Sequence, residues 1–211
     1  MHSLENILKE IKKELKEKEE VHETAQKEMR RATSLSKQAI LFAHEGKMKE
    51  ARRLITEAQT IIRRLDTLAT VHSSIVHSGL FNAALQEYAE ATIFLKLIEQ
   101  QKFATPDEIK VPSVDYVLGL ADVIGEYRRL TLDALREGDV RKAERCLKTM
   151  DEIFMELMAM EEAYMLVPGL RRKCDVARKI IEATRGDVTM EARRNALEQH
   201  LKRLEKSSKK P

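Results

Sequence analysis

Glycine, proline and aromatic residues are scarce in this sequence. Its 211 residues include seven Gly, four Pro and no Trp; aromatic residues make up 4% and charged residues 35%. Apolar residues recur at every third or fourth position, which is the spacing of an amphipathic helix rather than the alternation of a strand. The composition and this spacing together predict an all-α fold built from long helices.

Cysteine frameworks, long apolar runs and a leader-like start are also lacking. Cys146 and Cys174 lie in no zinc-binding spacing and no disulfide framework, which indicates a reducing environment. No run of about 18 residues is uninterruptedly apolar, so we expect no membrane span. Residues 1–20 are strongly charged and unlike a signal peptide. We therefore expect a cytoplasmic protein with no membrane partner.

A strong imbalance of charge is absent as well. The sequence has 38 Lys and Arg against 35 Asp and Glu, which gives a formal net charge of +3. Proteins that hold nucleic acid by bulk electrostatic attraction carry a much larger positive excess. Any basic binding surface on this chain must therefore be a local patch.

Helix-ending residues divide the periodic pattern into about six to seven mostly long, antiparallel helices. We predict a first helix over residues 3–45 that ends at Gly46, and a second over residues 47–77, joined as a hairpin. We expect one domain over residues 1–206 and a disordered basic tail over residues 207–211. The other predicted helices cover residues 80–102, a short segment after the capping residue Thr105, residues 113–136, a segment after Gly138, residues 168–184, and a last segment after a break at Gly186.

The third predicted helix carries an unexpected pair of acids. Glu87 and Glu90 lie three residues apart on one helix face, among apolar residues that would otherwise face the core. Ionised carboxylates on such a face are costly unless a positive group meets them. The pair predicts either a metal ligand set or polar residues at a helix or subunit boundary.

A second pair of acids lies on the predicted helix over residues 113–136. Asp122 and Glu126 are four residues apart and also share a face. That face also holds Asp115, Arg129 and Asp133, so it is equally compatible with a solvated polar stripe.

Four carboxylates on two helices suit a hard cation, Mg²⁺ or Mn²⁺, one or two in number. Such a metal activates water and offsets charge on a phosphate, which points to phosphodiester or phosphoanhydride hydrolysis. An oxygen-activating di-iron bundle would need Glu-x-x-His on two helices, and this sequence does not carry that motif on two helices.

Two segments resemble the translin and translin-associated factor X (TRAX) family, and particularly its factor X branch. They are residues 85–91, Leu-Gln-Glu-Tyr-Ala-Glu-Ala, and residues 114–126, Val-Asp-Tyr-Val-Leu-Gly-Leu-Ala-Asp-Val-Ile-Gly-Glu. The resemblance extends at lower intensity over about residues 30–186. It implies an all-helical subunit that assembles into a closed hollow shell, usually of eight subunits, around RNA. In the factor X branch, acids on the inner wall form a Mg²⁺-dependent endoribonuclease site, whereas translin lacks them.

The resemblance implies roles for particular residues. Glu87, Glu90, Asp122 and Glu126 match the acidic motifs and would be the metal ligands, with one of them also a candidate general base. Basic residues match positions that would contact single-stranded or partly duplexed RNA: Arg30, its neighbour Arg31, Lys37 and Arg129. For Arg129, an ion pair with Asp133 or Glu126 is the alternative.

The chain departs from the eukaryotic pattern, and alternatives remain open. It lacks the polar insertion before the second acidic segment, which leaves substrate selection undefined. Because one chain carries all four acids, we expect a homo-oligomer, an octamer by resemblance, although a translin-like partner subunit fits too. Two other functions compete with the nuclease: a non-catalytic RNA-binding scaffold, and an all-α nucleotide pyrophosphohydrolase, which also uses a Glu-x-x-Glu motif.

Overall fold

The computed structural model describes residues 3–71 and 79–208. Over these residues the chain is helical, with no strand, so the predicted all-α class is confirmed. In chain order the elements are α1 (Leu4–His44), α2 (Met48–Val71), α3 (Gly79–Gln100), α4 (Pro106–Ile109), α5 (Ser113–Arg136), α6 (Val140–Ala159), a 3₁₀ helix (Glu161–Met165) and α7 (Leu170–Ser208).

The predicted helix ends lie where the capping chemistry placed them. Gly46 has a φ of +73° and Gly138 a φ of +78°, the left-handed conformation that ends a helix without strain only at glycine. At the start of α4, the Thr105 hydroxyl accepts the Glu108 N–H, and the Glu108 carboxylate accepts the Thr105 N–H at 2.7 Å. This reciprocal capping box fixes the turn between α3 and α5.

The chain divides into two compact units at residues 115 and 116. In the first unit α1 and α2 form the predicted antiparallel hairpin, with ion pairs from Arg31 to Glu57 and from Arg64 to Glu28. Helix α3 packs against both. The unit is held together by apolar burial, and its largest fully buried side chains are Met29, Ile61, Tyr88, Ile93 and Phe94.

The first part of α1 contributes nothing to this core. Residues 4–20 are all exposed, and the first buried residue of the helix is Ala25. Apolar side chains nevertheless recur there at helical spacing, with exposed fractions of 42–70%. These side chains are Leu4, Ile7, Leu8, Ile11 and Leu15.

The second unit packs the rest of α5 with α6 and α7. Arg185 of α7 pairs with Asp151 of α6 at 2.7 Å, and Arg128 of α5 donates to the Thr184 hydroxyl of α7 at 2.7 Å. Ala134, Ala143 and Val188 meet in an apolar cluster where the three helices approach. The fully buried side chains of the second unit include Val123, Ile124, Met150, Ile153, Leu157 and Leu170.

The predicted break at Gly186 is wrong, because α7 runs unbroken from Leu170 to Ser208. A glycine inside a helix costs only about 1 kcal/mol relative to alanine. Thr184 and Val188, on either side of it, are buried against the bundle, and this packing holds the helix together. The helix also continues two residues into the predicted tail, whose residues 209–211 lie outside the described range.

The second helix ends at Val71, and the remainder of its predicted extent, residues 72–77, also lies outside the described residues. Across the helices that are described, none has the length and apolar character needed to cross a membrane.

Candidate functional site

The first acid pair lies midway along α3, at the edge of the first unit's core. Glu90 is only 8% exposed, and the side chain of Glu87 is 25% exposed. Ala84 and Ala91 on the same face are fully buried, whereas Ala83 is exposed. Phe94 on that face is also buried, and Leu80 and Ile98 are partly buried. The predicted core-facing stripe is therefore correct in part, and Glu90 is a buried carboxylate of the same helix.

Glu87 has a cationic partner on another helix. The Lys37 ammonium of α1 lies 3.1 Å from a Glu87 carboxylate oxygen. A predicted RNA-binding residue is thus next to a predicted metal ligand. Because Lys37 is 62% exposed, this ion pair contributes at most about 1 kcal/mol to stability.

The second acid pair lies on α5 within the second unit. Asp122 and Glu126 are both partly buried, and Asp122 forms an ion pair with Lys173 of α7. The stripe around them is not uniformly solvated. Arg129 is exposed at one end, but Asp115 at the other end is only 2% exposed.

The alternative to an RNA contact for Arg129 was an ion pair with Asp133 or Glu126. Asp133 pairs instead with Arg136 at 3.0 Å. Arg129 is exposed and accessible to a ligand, about one turn beyond Glu126 and about two turns beyond Asp122 on α5.

Asp115 is a buried polar residue that sequence reasoning placed only in a polar stripe. Its carboxylate accepts hydrogen bonds from the Asn82 amide at 3.3 Å and the Gln86 amide at 3.2 Å. Burial raises the pKa of this carboxyl above its ordinary value, and the two amide hydrogen bonds oppose that shift only in part. The sequence signal for a partner of Asp115 is that the amides of Asn82 and Gln86 lie four residues apart and so share a face of α3.

Lys173, which pairs with Asp122, was not among the predicted site residues. It lies in the first turns of α7, in a groove of about 450 Å³ between α5 and α7. Its side chain is 28% exposed and that of Asp122 is 38% exposed. The groove brings together one carboxylate and two cations, Lys173 and Arg172, with Gly125 and Gly169 in its wall.

The other predicted RNA-binding residues lie on α1. Arg30 and Arg31 are both exposed. Arg31 is engaged by two carboxylates, Glu57 of α2 and, at 4.0 Å, Glu28 of its own helix. Arg31 therefore has two carboxylate partners, and Lys37 has one, Glu87.

The two cysteines are buried and unbridged. Burial raises the pKa of both thiols, those of Cys146 and Cys174. A raised pKa lowers the thiolate fraction, so neither cysteine is activated as a nucleophile.

The chemistry of the four acids fits a hard divalent cation, because carboxylate oxygens are the ligands that Mg²⁺ and Mn²⁺ prefer. Glu87 and Asp122 each already attract one ammonium group. In the part of the chain that the structure describes, no three His, Cys, Asp or Glu side chains are grouped closely enough to hold a metal. The two pairs belong to different units, so the shared site stays a prediction.

Solved structures define the class of fold. AfC3PO is 33% identical to this chain, with a TM-score of 0.78, covering 88% of this chain and 96% of that chain. The complex of AfC3PO with duplex RNA matches over the same shares at 33% identity and a TM-score of 0.77. Apo-NeC3PO, at 22% identity, shows the same fold, with a TM-score of 0.81 over 90% of this chain and 100% of that one. The fold is thus the all-α fold of the C3PO proteins.

Sequence comparison gives the family. The sequence model of the Translin family matches residues 4–209. An uncharacterised protein of Methanocaldococcus jannaschii, MJ0175, is 32% identical over 193 residues, which cover 90% of this chain and 85% of that protein. The chain belongs to the Translin family, as the resemblance of its two acidic segments indicated.

Proposed function

We propose that this protein is a Mg²⁺-dependent endoribonuclease of the translin-associated factor X type, which binds RNA inside a hollow homo-oligomer. The observation that carries the proposal is the acid pair on each of two helices. One of the four acids, Glu90, is a carboxylate only 8% exposed on the core face of α3. Burying a carboxylate is costly to stability, and carboxylates in such environments are more frequent at functional sites than elsewhere.

RNA as the substrate is supported by the family and by a relative. AfC3PO, 33% identical over most of this chain, has been solved in complex with duplex RNA. Exposed basic residues on this chain, Arg30 and Lys37 of α1 and Arg129 of α5, supply the local positive charge that phosphate contacts require. The proposed substrate is single-stranded or partly duplexed RNA, as the resemblance to the family implies.

The proposed chemistry divides among the chain's own residues. Glu87, Glu90, Asp122 and Glu126 are the residues that would hold the metal, which would supply activation of water and offset charge on the phosphate. One of these carboxylates would accept the proton of the water. The Arg129 guanidinium contacts a non-bridging oxygen of the scissile phosphate and limits the build-up of charge there. Mn²⁺ would satisfy the same ligands as Mg²⁺.

A non-catalytic RNA-binding scaffold, as in translin, is the second candidate. It is favoured by the ion pairs that two of the four acids already make, Glu87 with Lys37 and Asp122 with Lys173. In that case the acids serve the fold, and RNA affinity survives their replacement without any cleavage to lose.

Cleavage of labelled RNA decides between these functions. We expect Glu90→Ala and Asp122→Ala each to abolish Mg²⁺-dependent cleavage on denaturing gels, as a chelator does to the wild type, while light scattering shows an unchanged oligomer. The matched control is Glu99→Ala, which removes an acid of α3 that pairs with Arg52. Undiminished cleavage by both site variants would contradict the nuclease. Hydrolysis of nucleoside triphosphates without RNA cleavage would indicate a pyrophosphohydrolase.

The assembly is tested separately. We expect light scattering to give the mass of a closed homo-oligomer, eight subunits by the family pattern. Co-expression with a translin-like subunit, where one exists, would reveal a mixed shell. A stable monomer at micromolar concentration would contradict the enclosed-RNA arrangement.

A further inference from the structure

Two of the few aromatic side chains of this protein meet an arginine at one place in the second unit. The guanidinium carbon of Arg178 in α7 lies 5.9 Å from the centre of the Phe154 ring in α6, within the distance at which a ring face attracts a cation. The Met158 sulfur accepts the Tyr164 hydroxyl at 3.3 Å and a guanidinium N–H of Arg178 at 4.0 Å. These four side chains form one group, which we call the arginine–aromatic cluster.

Arg178 is the exposed member of the cluster, and the other three side chains are partly buried. Its contacts with the Phe154 ring and the Met158 sulfur are with uncharged groups, so neither contact offsets its positive charge. A guanidinium is planar and weakly hydrated, and it stacks on flat aromatic systems. Because Arg178 is exposed, the side of its guanidinium that faces away from Phe154 is accessible to a second flat group.

Exposed apolar side chains lie next to the cluster along the chain. Met155, which follows Phe154, is 65% exposed. Met165 and Leu166, which follow Tyr164, are 90% and 76% exposed. Methionine is flexible and makes favourable contacts with aromatic rings. This surface therefore fits a ligand with a flat apolar face next to a negative charge, and an unpaired nucleobase on its phosphate backbone has both.

A second copy of this chain fits the same surface less well. A two-fold contact centred on the cluster would bring the Arg178 side chains of both copies together. Like charges at close range repel each other. RNA, the substrate proposed above, brings negative charge to the cluster instead.

We infer that the arginine–aromatic cluster binds one unpaired base of RNA, which stacks on the Arg178 guanidinium with the Phe154 ring on its other side. The inference rests on the proposed function for its ligand, RNA, and it requires neither a metal nor cleavage. Stacking depends on the base and not on the phosphate. The cluster therefore adds a preference for unpaired over duplex RNA to the affinity that phosphate contacts supply.

The test measures RNA binding by the full chain in chelator, with 2′-O-methylated RNA that resists cleavage. Fluorescence anisotropy compares two labelled duplexes, one with a short single-stranded overhang and one whose overhang carries the same phosphates without bases. A third duplex carries 2-aminopurine in the overhang, and the fluorescence of this base is quenched when it stacks.

Three variants separate the planar group, the ring and a general loss of aromatic surface. Arg178→Lys keeps the charge and removes the planar guanidinium. Phe154→Leu removes the ring. The matched control is Phe103→Leu, which removes a ring that is 37% exposed in the first unit.

We expect wild type to bind the overhang with bases roughly five- to hundredfold more tightly than the abasic overhang, which is the range that stacking of one base supplies. Arg178→Lys and Phe154→Leu should each lose most of this difference. Their affinity for the abasic overhang and the salt dependence of binding should match wild type, because no charge is removed. Wild type and Phe103→Leu should quench 2-aminopurine, and the two cluster variants should not.

Four outcomes overturn the inference and are distinguishable. If wild type binds both overhangs equally, RNA binding stands and base stacking is wrong. If both cluster variants discriminate between the overhangs as wild type does, the base is bound elsewhere. If wild type binds none of these RNAs, the proposed function fails and the inference fails with it. If a cluster variant lowers the mass measured by light scattering without RNA, a second copy covers the cluster. Circular dichroism melting shows whether Phe154→Leu stays folded, and Arg178→Lys, at an exposed residue, carries the test if it does not.

Discussion

Replacing Glu90 by glutamine should make the protein more stable and inactive at the same time. Glu90 is 8% exposed, and its neighbours in the sequence, Ala89 and Ala91, are fully buried. Glutamine keeps the size of the side chain and removes its charge. If the charge is retained for a metal, removing it should stabilise the metal-free protein.

The magnitude follows from the burial of the carboxylate. The effective cost of burying an ionised carboxylate is several kcal/mol, part of which its surrounding contacts return. We expect the free energy of unfolding of Glu90→Gln in chelator to exceed that of wild type by about 1–2 kcal/mol. Saturating Mg²⁺ should raise the stability of wild type by about 2.7 kcal/mol at a hundredfold excess over its dissociation constant, and that of the variant by much less.

Urea unfolding followed by circular dichroism, in chelator and in Mg²⁺, measures both quantities. The protein concentration must be equal in all samples, because assembly contributes to the apparent stability. Glu99→Gln is the matched control, since it makes the same change on α3 at an acid that pairs with Arg52. Glu99→Gln should lower the free energy of unfolding by less than about 1 kcal/mol, and Mg²⁺ should stabilise this variant as much as it stabilises wild type.

Glu90 is not retained for a metal if Glu90→Gln is less stable than wild type in chelator and Mg²⁺ raises the stability of both proteins equally. Glu90 would then stabilise the fold through its contacts, and the acid pair of α3 would need a structural explanation.

Three further predictions concern the fold. Burial raises the pKa of Asp115 above its ordinary value, so the folded state holds that proton more tightly than the unfolded state, and this stabilisation is lost as the pH rises. In urea titrations the stability of Asp115→Asn relative to wild type should therefore increase as the pH rises from about 4 and level off above the folded-state pKa; a difference that stays constant with pH would contradict this. Gly186→Ala should raise the free energy of unfolding by about 0.5–1 kcal/mol, since its added Cβ meets nothing within 4 Å. Gly46→Ala, at a φ of +73°, should lower the free energy of unfolding. Thermal melts in which both variants shift stability in the same direction would contradict this. Leu157 is 1% exposed, and Leu157→Ala should lower the free energy of unfolding by about 2–5 kcal/mol. Met155 is 65% exposed, and Met155→Ala should change the free energy of unfolding by no more than about 0.5 kcal/mol.

The sequence predicted the helices well where local chemistry decides them. The glycines at 46 and 138 and the capping box at Thr105 each act within one turn, so their effect is readable from neighbouring residues. The break at Gly186 was mispredicted for the opposite reason. Its helix is held by Thr184 and Val188 against other helices, and no local pattern reports such packing.

The acids of the candidate site were predictable for the same reason as the caps. Each pair lies within a single turn, so spacing alone placed its members on a common face. Their lysine partners were not predictable, because Lys173 lies 51 residues from Asp122 along the chain and on a different helix. Lys37 was selected by resemblance to the family, and its contact with Glu87 required the folded structure.

The exposed first part of α1 divides that helix into two regions of unequal stability. Residues 4–20 form about five turns whose side chains are all exposed, and an isolated helix of that length is marginally stable in water. Their backbone amides should exchange hydrogen with solvent far faster than those after Ala25, although the helix is continuous. A chain shortened by these residues should therefore retain the unfolding midpoint of its core.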